Sequence, residues 1–316
     1  MKISSYTSIG KRENNEDFIA FNDFVFTLCD GVGGIAKGEV ASRFVGDSVI
    51  RKAQGINRTS FSVEWVQKII GEIQDKLNKS ITENPENYGM GTTLCAVFIS
   101  DKEVLLAHIG DSRIYVVKPS EKKYWRSTDH STVEELVQSG IINNEEAKNH
   151  SRRNQITRAI QANSGGEVSK ADISALTKVE SGDLIFMCSD GVLEAYNDSE
   201  IVDILCDTAL EINKKLELIK LKCLSVSSDN HSAILLEFED DDQINLLGED
   251  KLNWIYRPVT NNSNMDSMAN NLPDFIYKGN SGIGQKSDKL NKVVKIALYT
   301  FAILFVAFLT LTMLKK

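Results

Sequence analysis

Proline and histidine are scarce in this chain, and cysteine never pairs at short spacing. Its 316 residues hold 4 prolines and 4 histidines, and the 5 cysteines (Cys29, Cys95, Cys188, Cys206 and Cys223) are odd in number and scattered. With no Cys-x-x-Cys pair and no Cys/His zinc spacing, a zinc module and a disulfide framework are both excluded. Most of the cysteines sit inside apolar stretches, as buried thiols in a reducing compartment do. Met1-Lys2-Ile3-Ser4-Ser5-Tyr6 lacks the apolar segment of a secretory signal, so the sequon Asn230-His231-Ser232 reads as a chance match. Basic arms are missing as well. The net charge is -8, whereas nucleic-acid binding needs clustered cations that displace counterions. No Gly-x-x-x-x-Gly-Lys-[Ser/Thr] loop and no serine in a nucleophile elbow occurs. With 42% apolar residues the chain can still bury a large core, as one large domain or two average ones.

What the chain does have is aspartate at the ends of apolar runs. Phe24-Val25-Phe26-Thr27-Leu28-Cys29 leads into Asp30-Gly31, Leu105-Leu106-Ala107-His108-Ile109-Gly110 into Asp111, and Leu184-Ile185-Phe186-Met187-Cys188-Ser189 into Asp190-Gly191. Asp229 stands just before Ala233-Ile234-Leu235-Leu236, and Asp17 closes Asn15-Glu16-Asp17. Each Asp-Gly pair is also a hairpin-turn signal on its own. Their repetition favours core strands whose ends converge and bring several carboxylates to one spot. Crowded carboxylates resist ionisation unless cations lie between them. Oxygen ligands without histidine or thiolate suit magnesium or manganese better than zinc. The chain therefore reads as a metal-dependent enzyme.

Strand patterns begin near Ile3 and recur at 18-21, 24-29, 93-99, 103-109, 113-117, 184-188 and 233-238. Phe61, Trp65, Ile69, Ile73, Leu77 and Ile81 repeat every four residues as the buried stripe of a helix, and Val40, Phe44 and Val49 do so less regularly. Ser131-Thr132-Val133-Glu134 and Asn197-Asp198-Ser199-Glu200 read as helix-capping boxes. Strands in blocks with helix pairs between them favour an α+β layered domain over a doubly wound sheet. That domain is expected to span 1-238. The acidic tract Glu239-Asp240-Asp241-Asp242 and an Asn/Ser-rich stretch then form a linker over 239-292.

From Val293 to Leu314 the sequence is apolar apart from Lys295. As a helix it would span roughly 30 Å, the hydrocarbon thickness of a bilayer. A single-pass C-terminal membrane anchor is expected, bound to membrane lipid, with the preceding domain in the cytoplasm. Lys289, Lys292 and Lys295 on the domain side fit that orientation, while Lys315 and Lys316 on the far side weaken the bias.

Gly31-Val32-Gly33-Gly34-Ile35-Ala36 formally matches the Gly-x-Gly-x-x-Ala dinucleotide fingerprint. Asp30 would point negative charge at a pyrophosphate, however, and Arg51 stands where a ribose-binding acid belongs. A nucleotide-binding oxidoreductase is the weaker rival for that reason. A more specific match is an ordered set: Gly10-Lys11-Arg12-Glu13-Asn14-Asn15-Glu16-Asp17, Cys29-Asp30-Gly31-Val32-Gly33-Gly34 with Gly38-Glu39-Val40-Ala41-Ser42, Gly91-Thr92-Thr93, Gly110-Asp111-Ser112-Arg113, Asp129-His130-Ser131, Ile156-Thr157-Arg158-Ala159, Gly182-Asp183, Ser189-Asp190-Gly191 and Asp229-Asn230. In this succession the chain resembles the PPM (type-2C) metal-dependent protein serine/threonine phosphatases in their compact bacterial form, over roughly residues 1-238.

The resemblance implies an α-β-β-α sandwich of two antiparallel sheets flanked by helices. It implies two Mn2+ or Mg2+ ions, with Asp30 matching the bridging carboxylate and the Gly31 carbonyl a further ligand. Asp190 and Asp229 match the remaining direct carboxylates, and Asp17 one that acts largely through bound water. Asp111 lies where some bacterial members bind a third, weaker metal. Arg12 matches the phosphate-binding arginine, a task for which a planar guanidinium suits better than an ammonium. Phosphorylated proteins are the implied substrates, and a Ser/Thr protein kinase is the implied opposing partner.

Some positions depart from the pattern. Ile35 stands where many members carry a histidine or another polar residue, leaving Lys37 or water to protonate the leaving group, although Lys37 itself reads as a solvent-facing residue. Gln161 replaces a common glycine within 140-177, which resembles the variable flap beside the site. Ser227-Ser228 replaces a usual Gly-Gly. A pseudophosphatase that binds partners without turnover is the alternative that Ile35 raises. His108, His130 and His150 read as packing or capping residues.

Overall fold

A computed structural model describes residues 1–32, 37–162, 168–242, 244–245, 250 and 252–257. The first strands are β1 (Lys2–Ser8), whose burial alternates, β2 (Asp17–Phe21) and β3 (Val25–Val32), which is buried along most of its length. Helices α1 (Gly38–Ala53) and α2 (Val63–Glu83) follow, and the Ser62 side chain accepts from the Trp65 N–H to start α2 on its four-residue stripe. Next come β4 (Gly91–Thr92), β5 (Leu94–Ile99), β6 (Val104–Ile109), β7 (Arg113–Lys118) and β8 (Lys123–Arg126). Short helices α3 (Thr132–Gln138) and α4 (Asn144–Lys148) lead to β9 (Ile160–Gln161), β10 (Asp172–Leu176) and β11 (Lys178–Val179). The remainder is β12 (Leu184–Cys188), α5 (Asp190–Leu193), α6 (Asp198–Cys206), α7 (Ile212–Val226), β13 (His231–Glu237), β14 (Ile244–Asn245) and β15 (Ile255–Tyr256).

All strand pairings are antiparallel. One large sheet runs β1-β13-β12-β7-β8-β15, a second runs β10-β6-β5-β3-β4-β9 with β2 also paired to β3, and β11 and β14 form a small two-stranded sheet. Side chains alternate between faces, and the central strands β5, β6, β7, β12 and β13 are covered on both, so each of them feeds two cores. Phe26, Leu28, Val97, Leu106, Ile114, Val116, Ile185, Met187, Ile234 and Leu236 meet between the sheets. Their neighbours in sequence point outward: Val25, Phe98 and Leu105 pack beneath α1 and α2, while Tyr115, Phe186 and Leu235 pack beneath α6 and α7. The result is the expected α-β-β-α sandwich.

Two boundaries differ from expectation. β10, inside the segment that resembled a flap, pairs with β6 from Asp172 opposite His108 to Leu176 opposite Val104. The expected start of the linker at 239 also falls inside the domain, because β14 pairs with β11 and β15 pairs with β8. Leu252 is buried, and Trp254 packs on the core between the sheets. Asp250 Oδ1 accepts from the Thr177 N–H at 2.6 Å, the Thr177 hydroxyl at 2.9 Å and the Lys178 N–H at 3.2 Å. The compact unit therefore runs from Met1 to Arg257. Residues 258–292 of the expected linker and the apolar helix expected over 293–314 lie outside the described residues. Among the described residues no helix is long and apolar enough to cross a membrane.

Candidate metal centre

The antiparallel register puts the aspartates together. β2 lies on β3 with Asp17 opposite Asp30. β12 lies on β13 with Cys188 opposite Ala233, so the strand end that leads into Asp190 lies beside the turn that carries Asp229, whose charge acts on Asp190. The main chain at Asp30 is anchored by the Thr92-Thr93 pair. Its N–H donates to Thr93 Oγ1 at 3.0 Å, and its carbonyl accepts from the Thr92 hydroxyl and the Thr93 N–H, both at 2.8 Å. Those bonds leave the carboxylate free to face the site. Gly191 is required beside Asp190, since a Cβ there would overlap the Asn230 carbonyl, and Gly31 packs as closely on the Gly38 backbone.

The charges of these carboxylates act on one another. Burial first, then the charges of Asp17, Asp190, Asp111 and Asp229, pushes the Asp30 carboxyl well above the ordinary range. Burial and then Asp111, Asp229 and Asp17 do the same to Asp190, whose carboxyl lies within hydrogen-bonding reach of Asp30. Asp17 is pushed up to about 6, chiefly by burial, despite accepting from Ser189 Oγ at 2.7 Å. Asp111 is pushed up to about 7 by burial and by Asp129. The second Asp17 oxygen, Oδ1, is buried without a hydrogen-bond partner. Like charges crowded away from water, offering only oxygen donors and one orphaned acceptor, are the donor set a hard divalent cation with bound water satisfies.

Arg12 stands at the edge of this cluster, its Nη2 donating to Asp229 Oδ2 at 2.5 Å. Its side chain is 56% exposed, which lets the guanidinium reach a ligand from solvent. The Arg12 loop is held by Asn230, a residue whose role the sequence does not reveal. Asn230 Nδ2 donates to the carbonyls of Ile9 at 2.9 Å and Asn14 at 2.8 Å, and its Oδ1 accepts from the Glu16 N–H at 2.8 Å. Ser189, Thr93 and Asn230 all escape sequence reasoning as supports. The one available signal is their place beside a strand-end aspartate or, for Thr93, in Gly91-Thr92-Thr93. Lys37, a proton-donor candidate beside water that reads as solvent-facing, pairs with Glu86. Ile35 lies outside the described residues.

A second cluster lies apart from the carboxylates. Ligand atoms of His108, His130 and Asp172 all fall within 4.8 Å of one another, the one such set among the described residues. Its hydrogen bonds are already assigned by chemistry. His130 Nδ1 accepts from the Gly110 N–H at 3.1 Å, so its single proton sits on Nε2 and is donated to Asp172 Oδ2 at 3.1 Å. His108 Nε2 donates to the Thr128 carbonyl at 2.7 Å, and the two rings stack at 4.6 Å. Burial lowers the pKa of both histidines, disfavouring their charged form. A cation at His130 Nε2 would need the proton moved to Nδ1, against the Gly110 N–H. This cluster ties β10 to the turn before Asp111, beyond the packing or capping roles expected of His108 and His130. Arg113, next to that turn, is consumed by a two-pronged bond to Asp129 at 2.7 and 2.6 Å and by Asp198 at 2.7 Å.

Comparison with known proteins points to one group. A protein-family profile described as Protein phosphatase 2C matches residues 7–222. Protein phosphatase PhpP of Streptococcus pneumoniae is 32% identical over 253 residues, covering 77% of this chain and 99% of its own length. The crystal structure of the serine/threonine phosphatase Stp1 from Staphylococcus aureus superposes with a TM-score of 0.67 at 31% identity, over 75% of this chain and 95% of that one. The catalytic domain of the serine threonine protein phosphatase PstP, solved with 2 manganese ions, superposes with a TM-score of 0.65 at 25% identity, over 76% of this chain and 98% of that one.

Proposed function

Since the chain belongs to the protein phosphatase 2C family, we propose that it removes phosphate from phosphoserine and phosphothreonine in proteins by attack of water rather than of a side chain. The observation that carries this reading is the set of buried carboxylates at Asp30, Asp190 and Asp17, raised by burial and then by neighbouring acidic groups, beside the exposed guanidinium of Arg12. The cofactors are two Mn2+ or Mg2+ ions, which when bound acidify a shared water and offset charge on the phosphoryl oxygens. Asp30, Asp190 and Asp229 are suited to hold them directly with the Gly31 carbonyl, Asp17 through water, and Asp111 a third and weaker ion.

Arg12 binds and orients the phosphate. Its bond to Asp229 is a pairing with an anion at this edge of the cluster, and a phosphate would offer it the same chemistry. The nearby thiols take no part: Cys29 and Cys188 are fully buried, and burial pushes both above their ordinary range. The protein is expected to release phosphate from a phosphothreonine peptide with Mn2+ present, and Asp30→Asn or a chelator is expected to abolish release. Equal rates with the mutant or with chelator would sink this reading.

The apolar stretch from Val293 to Leu314 supports a further element of the proposal, that the phosphatase is tethered to a membrane with its domain in the cytoplasm. A tether raises the effective concentration toward phosphoproteins held at the same surface, including the targets of an opposing Ser/Thr kinase. Membrane fractionation tests it, with full-length protein expected in the pellet and a version ending at 257 in the supernatant. Full-length protein in the supernatant would contradict the tether.

A further inference from the structure

Glu194 joins the two strand ends that carry Asp190 and Asp229. It lies one turn after Asp190, its N–H donating to the Asp190 carbonyl at 3.0 Å. Its carboxylate reaches across to the turn before β13. There Oε2 accepts from the Ser228 N–H at 2.7 Å, the Ser228 hydroxyl at 3.0 Å and the Ser227 hydroxyl at 3.1 Å. Oε1 takes the Ser228 hydroxyl at 3.1 Å. Ser227 Oγ then accepts from the Asp229 N–H at 3.2 Å, completing a path from one aspartate's main chain to the other's. The Ser-Ser pair that departs from the usual Gly-Gly thus supplies two hydroxyls that glycine lacks. The Glu194 carboxylate takes four hydrogen bonds from the Ser227-Ser228 pair, one from a main-chain N–H and three from hydroxyls.

We infer that Glu194 is a positioning residue that, through Ser227 and Ser228, fixes Asp229 relative to Asp190 and so sets this protein's affinity for its divalent ions. The inference rests on the phosphatase reading for what the aspartates hold. Partners that orient metal-binding side chains commonly matter nearly as much as the ligands.

Mn2+ titration calorimetry on the full-length protein tests it, with circular dichroism and melting in chelator recorded for each variant. Glu194→Ala is expected to weaken Mn2+ binding roughly tenfold or more, and Glu194→Gln by no more than about threefold, since its amide oxygen can take the place of Oε2. Ser227→Ala should fall between them, and the double variant Glu194→Ala/Ser227→Ala should bind no worse than Glu194→Ala alone. Unchanged affinity in folded Glu194→Ala, or effects that simply add in the double variant, would overturn the inference. Should Glu194→Ala fail to fold, Ser227→Ala decides, and unchanged affinity there overturns it equally. Failure of the underlying phosphatase reading looks different: the unmodified protein itself would not bind Mn2+ or release phosphate.

Discussion

Protonation and metal binding compete for the same oxygens. Below its raised pKa a carboxyl carries a proton, and a cation needs the ionised form, so the competition weakens binding as pH falls. With Asp17 pushed up to about 6, Asp111 to about 7, and Asp30 and Asp190 well above ordinary values, Mn2+ affinity should rise between about pH 6 and about pH 8. Calorimetry in buffers of different ionisation heats should also show protons released on binding. Flat affinity across that interval, with no buffer dependence, would count against the cluster. The aspartates themselves were legible because each ends or precedes an apolar run. Their supports were not, because Ser189, Asn230 and Glu194 act on residues distant in the chain, such as Asp17, Ile9 and Ser228, and small polar residues carry no periodic signal. The histidines show the same limit: a stacked pair formed from a β6 residue and a loop residue leaves no trace in local spacing.

Strands and helices were largely legible, since the alternation that fills two cores is local. The stripe from Phe61 to Ile81 gave α2, and the Asn197–Glu200 capping box is complete, whereas at Ser131 only the Glu134 N–H bond to the serine hydroxyl is present. β10 escaped because Asp172-Ile173-Ser174-Ala175-Leu176 is too mixed in polarity to read as a core strand. Asp250 and the 252–257 segment escaped because one aspartate, one buried leucine, one tryptophan, the two-residue β15 and Arg257 hold them, too few for a pattern. Trp254 reaches the domain beside a buried ion pair. Lys118, fully buried, donates to Asp183 at 2.6 Å and to the Lys178 carbonyl at 2.9 Å, and it lies 5.9 Å from the Trp254 ring. Removing only the anion strands a buried cation, so Asp183→Ala should destabilise the fold by about 3–5 kcal/mol. Replacing both partners with apolar residues should cost far less. Denaturant melts of the single and double variants check this, and equal losses would show that the charge pairing is not what matters.

Taken as a molecule, the domain is a machine for bringing strand ends together. Two sheets whose central strands are buried on both faces hold β3, β12 and β13 rigidly enough that their ends can keep carboxylates crowded at one edge. The folding energy gathered in the three cores offsets the repulsion concentrated there, a cost that bound cations relieve. Diffraction from crystals of residues 1–257 soaked in Mn2+, measured at the manganese absorption edge, tests the account most directly. Two anomalous peaks are predicted among Asp30, Asp190 and Asp229. Peaks at His108, His130 and Asp172 instead, or none near Asp30, would contradict it.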